Sequence, residues 1–142
     1  MKKLILLLLI GGLFTKAEAQ KLSAKDVPSA VMNAFNKAYP SIKDVDWSKK
    51  GDDYTASYDS KKVDNSVTYE VNGKLIETEI KIAPSTLPSG VMEYVKKNYK
   101  EDEVKEASKI TDASGTVTYE AEVKDLDLIF DSKGDFIKSV KD

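Results

Sequence analysis

Carboxylates carry most of the chemical potential of this 142-residue sequence, because it contains neither histidine nor cysteine. Without these two residue types there is no imidazole general base, no thiolate nucleophile, no disulfide, and no histidine or cysteine ligand for a metal. Any catalysis is therefore limited to Asp, Glu, Lys, Tyr, Ser and Thr. This absence narrows the possible enzyme classes more than any motif does.

Glu77 and Glu79 are the carboxylate pair that most resembles an acid–base site. Alternate residues of a strand point to one face and lie about 7 Å apart, a separation that suggests a glycosidase pair. Acidic residues at alternate strand positions are more often simply solvated, and no neighbouring residues predict a cleft. We therefore predict no catalytic residue in this chain.

Several aspartates have the spacing of loosely grouped calcium ligands. A calcium loop normally combines several oxygen donors at regular spacing with a glycine, over about 12 residues. The "DSKGD" segment at 131–135 is shorter and has a lysine at its centre, which is typical of a hairpin turn. We predict neither a metal site nor a cofactor. The other aspartates considered are Asp44 with Asp46, Asp52 with Asp53, and Asp125 with Asp127.

The first nineteen residues have the pattern of a secretory signal peptide. Two lysines precede an apolar run over residues 4–14, and Ala17-Glu18-Ala19 has the small-x-small form of a cleavage site. The alternative is a membrane anchor, but about eleven apolar residues are too few for the roughly 20 of a spanning helix. We expect a soluble mature chain that begins at Gln20, is periplasmic or secreted, and does not insert into the membrane.

The charge of the mature chain argues against nucleic acid as a partner. The whole sequence has 22 basic and 24 acidic residues; removal of Lys2, Lys3, Lys16 and Glu18 leaves 19 and 23, a net charge of −4. Every basic residue is lysine, and the lysines are scattered. Nucleic-acid binders typically concentrate basic residues on one face and use arginine to contact phosphate and guanine.

Two similar segments predict the helices that organise the fold. Residues 27–39 read "VPSAVMNAFNKAY" and residues 87–99 read "LPSGVMEYVKKNY", with six identical positions. In each, apolar residues recur every three to four positions, which indicates an amphipathic helix. Pro28 and Pro88 suit the first helical turn, and Tyr39 before Pro40 predicts the end of the first helix.

After each helix the apolar period changes to two, which predicts four strands per half. Asn72-Gly73 in the first half is a hairpin signal of type I′ character. The halves repeat with a period of about sixty residues, and residues 83–86 form the linker between them. We therefore predict one domain over 20–142, built from two repeats at about 27–82 and 87–140.

The predicted fold class is α+β: a tandem repeat of one helix plus a four-stranded antiparallel sheet. Each half has about 55 residues and is too small for a stable core of its own. The two sheets are expected side by side or continuous, with one helix packed on each. Strand alternation implies that the opposite face meets solvent or a partner.

The sequence resembles the PepSY-like periplasmic proteins, also described as beta-lactamase-inhibitor-like. The resemblance spans nearly all of the mature chain, with Glu106 at the position expected for Trp47 in the second half. It implies a fold like that of beta-lactamase inhibitor protein, without implying lactamase inhibition, and carries over no catalytic residues. The matching features are Val27-Pro28, Tyr39-Pro40, Val45-Asp46-Trp47, Gly73 and Leu87-Pro88.

Candidate binding residues are the single tryptophan and the polar positions of the predicted strands. Tryptophan is favoured in interfaces, although Trp47 shares a strand face with Val45 and core packing is the alternative for it. The polar positions form either a solvated face or a broad, wet docking surface. The candidates are Trp47, Thr55, Ser57, Thr68, Glu70, Thr118, Glu120 and Glu122.

These observations favour a secreted, non-enzymatic binding or regulatory module that recognises or inhibits another exported protein. The alternative is a periplasmic protein that binds a small ligand or an envelope component in a groove between sheet and helix. Because the apolar helix stripes are fully used to cover the sheets, a large internal pocket is not expected. A carboxylate-based hydrolase ranks last.

Overall fold

The computed structural model of the chain describes residues 18–100 and 102–141. The charged and apolar parts of the predicted signal peptide, within residues 1–17, lie outside the described residues. Across the described part of the chain, no helix has the length and apolarity needed to cross a membrane.

The described residues form two helices and nine strands. Helix α1 spans Ser29–Ala38 and helix α2 spans Ser89–Tyr99, and a short 3₁₀ turn precedes each, at Ala24–Asp26 and Pro84–Thr86. The strands are β1 (Gln20–Leu22), β2 (Asp46–Lys50), β3 (Asp53–Ser60), β4 (Val63–Tyr69), β5 (Leu75–Ile82), β6 (Val104–Asp112), β7 (Val117–Val123), β8 (Leu126–Asp131) and β9 (Phe136–Lys141).

The nine strands form one antiparallel sheet in which each strand pairs with the next along the chain. The predicted α+β class is confirmed, and the sheet is continuous. Strands β5 and β6 join the two parts through six residue pairs, from Glu77 with Asp112 to Ile82 with Ala107. The predicted linker is thus a 3₁₀ turn beside a continuous hydrogen-bonded ladder.

For description, the N-terminal unit is α1 with β2–β5, and the C-terminal unit is α2 with β6–β9. Each helix buries its apolar stripe on the strands of its own unit. In the N-terminal unit Val31 and Phe35 pack on Trp47, Ala56 and Val67. The C-terminal core has the same position in its unit: Leu87, Val91, Val95, Ala107, Ala121, Val123, Leu128 and Phe130.

Both helices lie in the predicted segments, but each begins just after the proline that was expected in its first turn. Pro28 and Pro88 occupy the position before the first helical residue, with extended backbone and no side-chain cap. The first helix ends at Ala38, since Tyr39 leaves the helical region ahead of Pro40. The tyrosine remains in the apolar stripe, where its ring lies 5.1 Å from that of Phe35.

Strand β1 was not predicted from the sequence. Its three residues pair with β2, so that Leu22 lies opposite Trp47 and Gln20 opposite Lys49. Three residues are too few to display a period of two, and only pairing with a neighbouring strand defines them as a strand.

The predicted type I′ turn at Asn72-Gly73 is wrong in type. A type I′ turn needs positive φ at both central residues, but of these two only Gly73 has it, at +84°. Glu70 N–H instead donates to Lys74 O, and Gly73 N–H donates to Glu70 O, as in a three-residue loop with a glycine bulge. Asn72 Oδ1 accepts a hydrogen bond from Lys74 N–H at 2.9 Å and favours this longer loop.

Two consecutive positive φ angles occur at Lys61 (+52°) and Lys62 (+65°). These residues connect β3 to β4, and the flanking Ser60 and Val63 are paired. The type I′ geometry is therefore built from two lysines, for which the left-handed region is unfavourable. No glycine or asparagine marks this turn, so the sequence gives no signal for its type.

The expectation that Glu106 takes the position of Trp47 is also wrong. Trp47 pairs with Ala56 at the centre of the N-terminal unit, and Ala107 pairs with Ala121 at the same place in the C-terminal unit. A register shift between Val104 and Glu106 adds an irregularity that sequence spacing does not reveal. Glu106 consequently lies on the opposite face of the sheet from the helices.

Candidate functional site

The face of the sheet opposite the two helices is the candidate site, and we refer to it as the uncovered face. Strand alternation divides the residues cleanly: Ala56, Val67 and Ala107 are buried beneath the helices. Their strand neighbours point to the other side, where Thr55 Oγ1 and Thr68 Oγ1 form a hydrogen bond of 3.0 Å.

Seven of the eight candidate binding residues lie on or beside the uncovered face. Thr55, Ser57, Thr68 and Glu70 are on β3, β4 and the turn after β4, and Thr118, Glu120 and Glu122 are on β7. Strands β5 and β6 separate these two groups, so the structure places them on one surface without bringing them into one cluster.

Trp47 lies on the other side of the sheet. Only 4 % of its surface is exposed, and its ring packs edge-on against Phe35 with centroids 5.4 Å apart. The indole is a core residue in this structure and is separated from the other seven candidates by the sheet itself.

The uncovered face contains a broad, open groove of about 1040 Å³. Its floor runs from β3 to β7 and includes Ser66 and Ser108, while the segment after α1 (residues 41–46) forms one wall. The groove lies opposite the helices, whereas the sequence suggested that a ligand groove, if present, would lie between sheet and helix. Both helices pack on the opposite side of the sheet, so this groove is not formed between sheet and helix.

The uncovered face is concave between β3 and β7, because residues of these five strands line the groove together with the segment after α1.

The groove is strongly acidic. Eight carboxylates and two lysines line it, which gives a net formal charge of −6. Lys81 on the central strand contacts Glu106 at 2.7 Å and Asp64 at 3.7 Å, and these contacts raise its pKa. The lining charges are Asp44, Asp46, Asp59, Asp64, Glu79, Glu106, Glu120, Glu122, Lys43 and Lys81.

Like charges lie directly opposite each other on neighbouring strands of this face. Glu106 is paired with Glu122 across β6 and β7, and Asp59 with Asp64 across β3 and β4. A hydrogen bond to Asp64, together with its charge, raises the pKa of Asp59. Directly opposed like charges destabilise a sheet, so this face is not optimised for folding stability.

Sequence reasoning missed the charged residues at the centre of the groove, among them Lys81, Glu106 and Asp64. The alternation of β5 and β6 contained the necessary signal, since Glu79 and Lys81 alternate with the apolar Ile80 and Ile82. The prediction considered Glu79 only as half of a catalytic pair. The order of strands in the sheet, which the sequence does not state, is what places Lys81 beside Asp64 and Glu106.

Glu77 and Glu79 do not form an assembled acid–base pair in the groove. Burial, followed by the charges of Glu79 and Asp112, raises the pKa of Glu77. Glu79 lines the groove but Glu77 is not among the lining residues. The two carboxylates therefore do not face one shared cleft.

The 131–135 segment, considered as a calcium site, is a turn stabilised by the side chain of Asp131. Asp131 Oδ1 accepts hydrogen bonds from the N–H groups of Lys133 and Asp135, each at 2.9 Å, and these bonds lower the pKa of Asp131. The prediction of a hairpin turn at 131–135 is confirmed. Within residues 18–100 and 102–141, no three acidic side chains are grouped so as to hold a metal ion.

Comparison with known proteins identifies relatives of this architecture. A family model described as "Putative beta-lactamase-inhibitor-like, PepSY-like" matches the chain twice, over residues 13–77 and 54–138. No curated protein matches the sequence.

Solved structures of bacterial proteins share the fold. A BLIP-like protein from Bacteroides fragilis NCTC 9343 is 21 % identical with a TM-score of 0.64, covering 80 % of this chain and 86 % of its own. A DUF2874 family protein from Bacteroides ovatus ATCC 8483 is 20 % identical with a TM-score of 0.69 and the same coverage. A protein from Bacteroides eggerthii DSM 20697, named as "putative periplasmic", is 15 % identical with a TM-score of 0.72, covering 81 % and 88 %. At these identities the likeness establishes the fold alone.

Proposed function

Because the chain belongs to the beta-lactamase-inhibitor-like, PepSY-like family, we propose that it is a non-enzymatic periplasmic module that binds another exported protein. The observation that carries this proposal is the concave groove of about 1040 Å³ on the uncovered face. A sheet face that curves inward and carries no helix is shaped to receive a convex surface. Recognition or inhibition of the bound protein follows from occupying its surface.

The arrangement of the groove favours binding over catalysis. Its floor consists of serines and carboxylates distributed over several regular strands, such as Ser66, Ser108 and Glu120. A catalytic site would bring a base and an acid, or a nucleophile and its activating group, to one reacting atom. The broad, open, polar floor instead resembles a wet protein interface.

We further propose that the fold is a tandem repeat within one domain. The two helices begin sixty residues apart, at Ser29 and Ser89, and four strands follow each. The last turn of each unit packs beneath its own helix, with Gly73 beside Ala30 and Gly134 beside Gly90. The repeats correspond to about 27–82 and 87–140, within a mature domain of 20–142.

Export to the periplasm is part of the proposal. The leader pattern of residues 1–19 supports it. Relatives of the same fold that are named as periplasmic support it as well.

The second candidate function is binding of a small ligand or an envelope component in the same groove. The volume of the groove is the observation in its favour, since small-molecule sites typically have about 300–1,000 Å³. Its charged, open lining counts against it, because such sites are mostly apolar and enclosed.

Capture from periplasmic extract with paired variants tests the proposal. The double variant Ser66→Trp and Ser108→Trp fills the floor of the groove, and the control Asn36→Trp and Lys96→Trp places two tryptophans at exposed helix positions. We expect a protein captured by the wild-type chain to be retained by the control and lost by the groove variant. Equal capture by both variants contradicts docking on the uncovered face. A small molecule that stays bound to the chain in native mass spectra, in samples without any captured protein, favours the second candidate.

A further inference from the structure

On the central strands β5 and β6, the acidic residues lie on the uncovered face of the sheet. On β6, Lys109 lies on the helix side, whereas Glu106 and Asp112 lie on the uncovered face. On β5 the helix side is apolar, with Ile80 and Ile82, and both glutamates lie on the uncovered face. An overall charge of only −2 therefore conceals a face with a concentrated negative field.

The groove has fewer cations than carboxylates. Lys81 is the one lysine that a strand contributes to the lining, and it already contacts Asp64 and Glu106. Lys21 on β1 contacts the lining residue Asp46 at 3.4 Å from outside the groove. Lys43 enters from the segment after α1. Since the opposed pair Glu106 and Glu122 lowers folding stability, positive charge supplied from outside would relieve the repulsion.

The spacing of the carboxylates identifies the form of that positive charge. They are distributed along the groove from the β2 end to β7, and in the described residues no three of them converge on a point. A single divalent ion needs six to eight converging oxygens if it is calcium. Carboxylates and carboxylate pairs spread over several strands are matched better by several cations on long, flexible stems, which lysine and arginine side chains of a protein provide.

We propose that the partner docking on the uncovered face presents a convex surface rich in lysine and arginine, recognised by charge complementarity with the acidic groove. This inference rests on the proposed function and adds the chemistry of the partner. Complementary charge of this kind accelerates association and selects the partner, and its effect weakens as salt increases.

The first test measures binding of a deca-lysine peptide to the full mature chain by NMR chemical shifts. The groove variant Glu79→Gln, Glu106→Gln and Glu122→Gln removes three lining charges and retains side-chain size. The control Asp26→Asn, Glu93→Gln and Glu103→Gln removes three exposed charges elsewhere. Removing opposed charges is expected to raise folding stability, so unfolding does not confound the result.

We expect shifts confined to β3–β7 and a dissociation constant about tenfold higher in the groove variant than in the control. Raising sodium chloride from about 50 to about 300 mM should weaken binding of the wild-type chain by a similar factor. Equal affinity of the two variants, or shifts spread over the helices, overturns the proposal. Calcium ions that produce the same groove shifts at lower concentration than the peptide overturn it in favour of a metal site.

The second test uses the protein captured by the groove-dependent experiment above. Cross-linked peptides should place a lysine- and arginine-rich surface of that protein against β4–β7. A neutral or acidic contact surface overturns this inference while leaving the proposed function intact. Capture that does not depend on the groove overturns the proposed function, and the peptide experiment then decides the charge preference of the face independently.

Discussion

The N-terminal and C-terminal units use the same elements but concentrate their aromatic residues in different places. In the N-terminal unit Phe35 packs edge-on against Trp47 and Tyr58, over β2 and β3. In the C-terminal unit Tyr94 stacks on Phe136 with centroids 4.5 Å apart, over β8 and β9. Each aromatic cluster therefore lies toward the outer end of the nine-stranded sheet.

This difference explains why the helix side of the sheet is least covered at its middle. The central strand β5 has no buried residue, and Ile80 on its helix side is 42 % exposed. Each helix packs toward the aromatic cluster of its own unit, so neither one covers the strand between them. The units are held together chiefly by strand pairing between β5 and β6, and this junction forms the centre of the uncovered face.

The largest expected effect comes from truncating the aromatic anchor of the N-terminal unit. Phe35 is 1 % exposed, and Phe35→Ala should lower the free energy of unfolding by about 3–5 kcal/mol through lost burial and a cavity. The corresponding Val95→Ala should lower it by about 2 kcal/mol, since fewer buried methyl groups are removed. Urea denaturation of the two variants measures both. Equal losses would contradict the different anchoring of the two units.

Substitution of the turn glycines is expected to cause the next largest loss of stability. It tests the close approach of turn and helix, which both units share. A Cβ on Gly73, at φ +84°, would lie 2.5 Å from the carbonyl oxygen of Ala30. A Cβ on Gly134 would meet Pro88 Cβ at 3.0 Å. Gly73→Ala should destabilise by about 2 kcal/mol or more and Gly134→Ala by somewhat less, because a backbone oxygen yields less than a side chain.

Thermal unfolding compares these two variants, and Gly115→Ala serves as a control. Gly115 has a similar positive φ of +88°, but a Cβ there would meet no atom within 4 Å. It should therefore show only the backbone cost of about 1–2 kcal/mol. A loss for Gly73→Ala no larger than that of the control would mean that the close approach of turn and helix does not contribute.

Smaller increases in folding stability are expected from changes in the hairpins whose lysines have positive φ. Replacing Lys61 by Asn and Lys62 by Gly places preferred residues at both positive-φ positions of the β3–β4 turn and should stabilise the fold by about 1 kcal/mol. In the C-terminal unit, Lys124 (+56°) alone has positive φ in the β7–β8 turn, and Lys124→Gly should gain about half as much. Destabilisation of the first variant in chemical denaturation would show that the lysine pair is not strained.

The smallest effect concerns pH and the central strand that the two units share. Burial raises the pKa of Glu77 from 4.5, so the native state keeps this proton to higher pH than the unfolded chain does. Stability associated with this group is therefore greatest below pH 4.5 and falls as pH rises through the raised pKa. Glu77→Gln should be more stable than the wild type at pH 7 and equal to it below pH 4.5.

Denaturation curves at several pH values measure this difference. The exposed Glu93→Gln on α2 provides the matched control and should show little change across the same range. An unchanged midpoint for Glu77→Gln at pH 7 would indicate that the carboxylate is not destabilised by its surroundings.

The fold was largely predictable because its elements depend on local periodicity. The stripes ending at Tyr39 and Tyr99, and alternations such as Tyr54, Ala56 and Tyr58, define helices and strands without knowledge of their neighbours. Features that depend on pairing were not predictable. Strand β1 and the alignment of Ala107 with Trp47 are set by the ladder, and no local pattern encodes them.

The candidate site was predicted in part for the same reason. Alternation placed Thr55, Thr68 and Glu120 on one face, but it did not reveal the curvature or the order of strands that forms the groove. The central residues Lys81 and Glu106 come from different units and meet only across the β5–β6 junction. A prediction that treats the units separately has no means of finding a site between them.

The central claim is that the uncovered face, rather than the helices, is the docking surface. Photo-cross-linking in living cells tests it most directly, with benzoylphenylalanine placed at Ser66 in the groove or at Asn36 on α1. We expect a discrete protein adduct from position 66 and none from position 36. Adducts from position 36 alone, or from both positions equally, would contradict it.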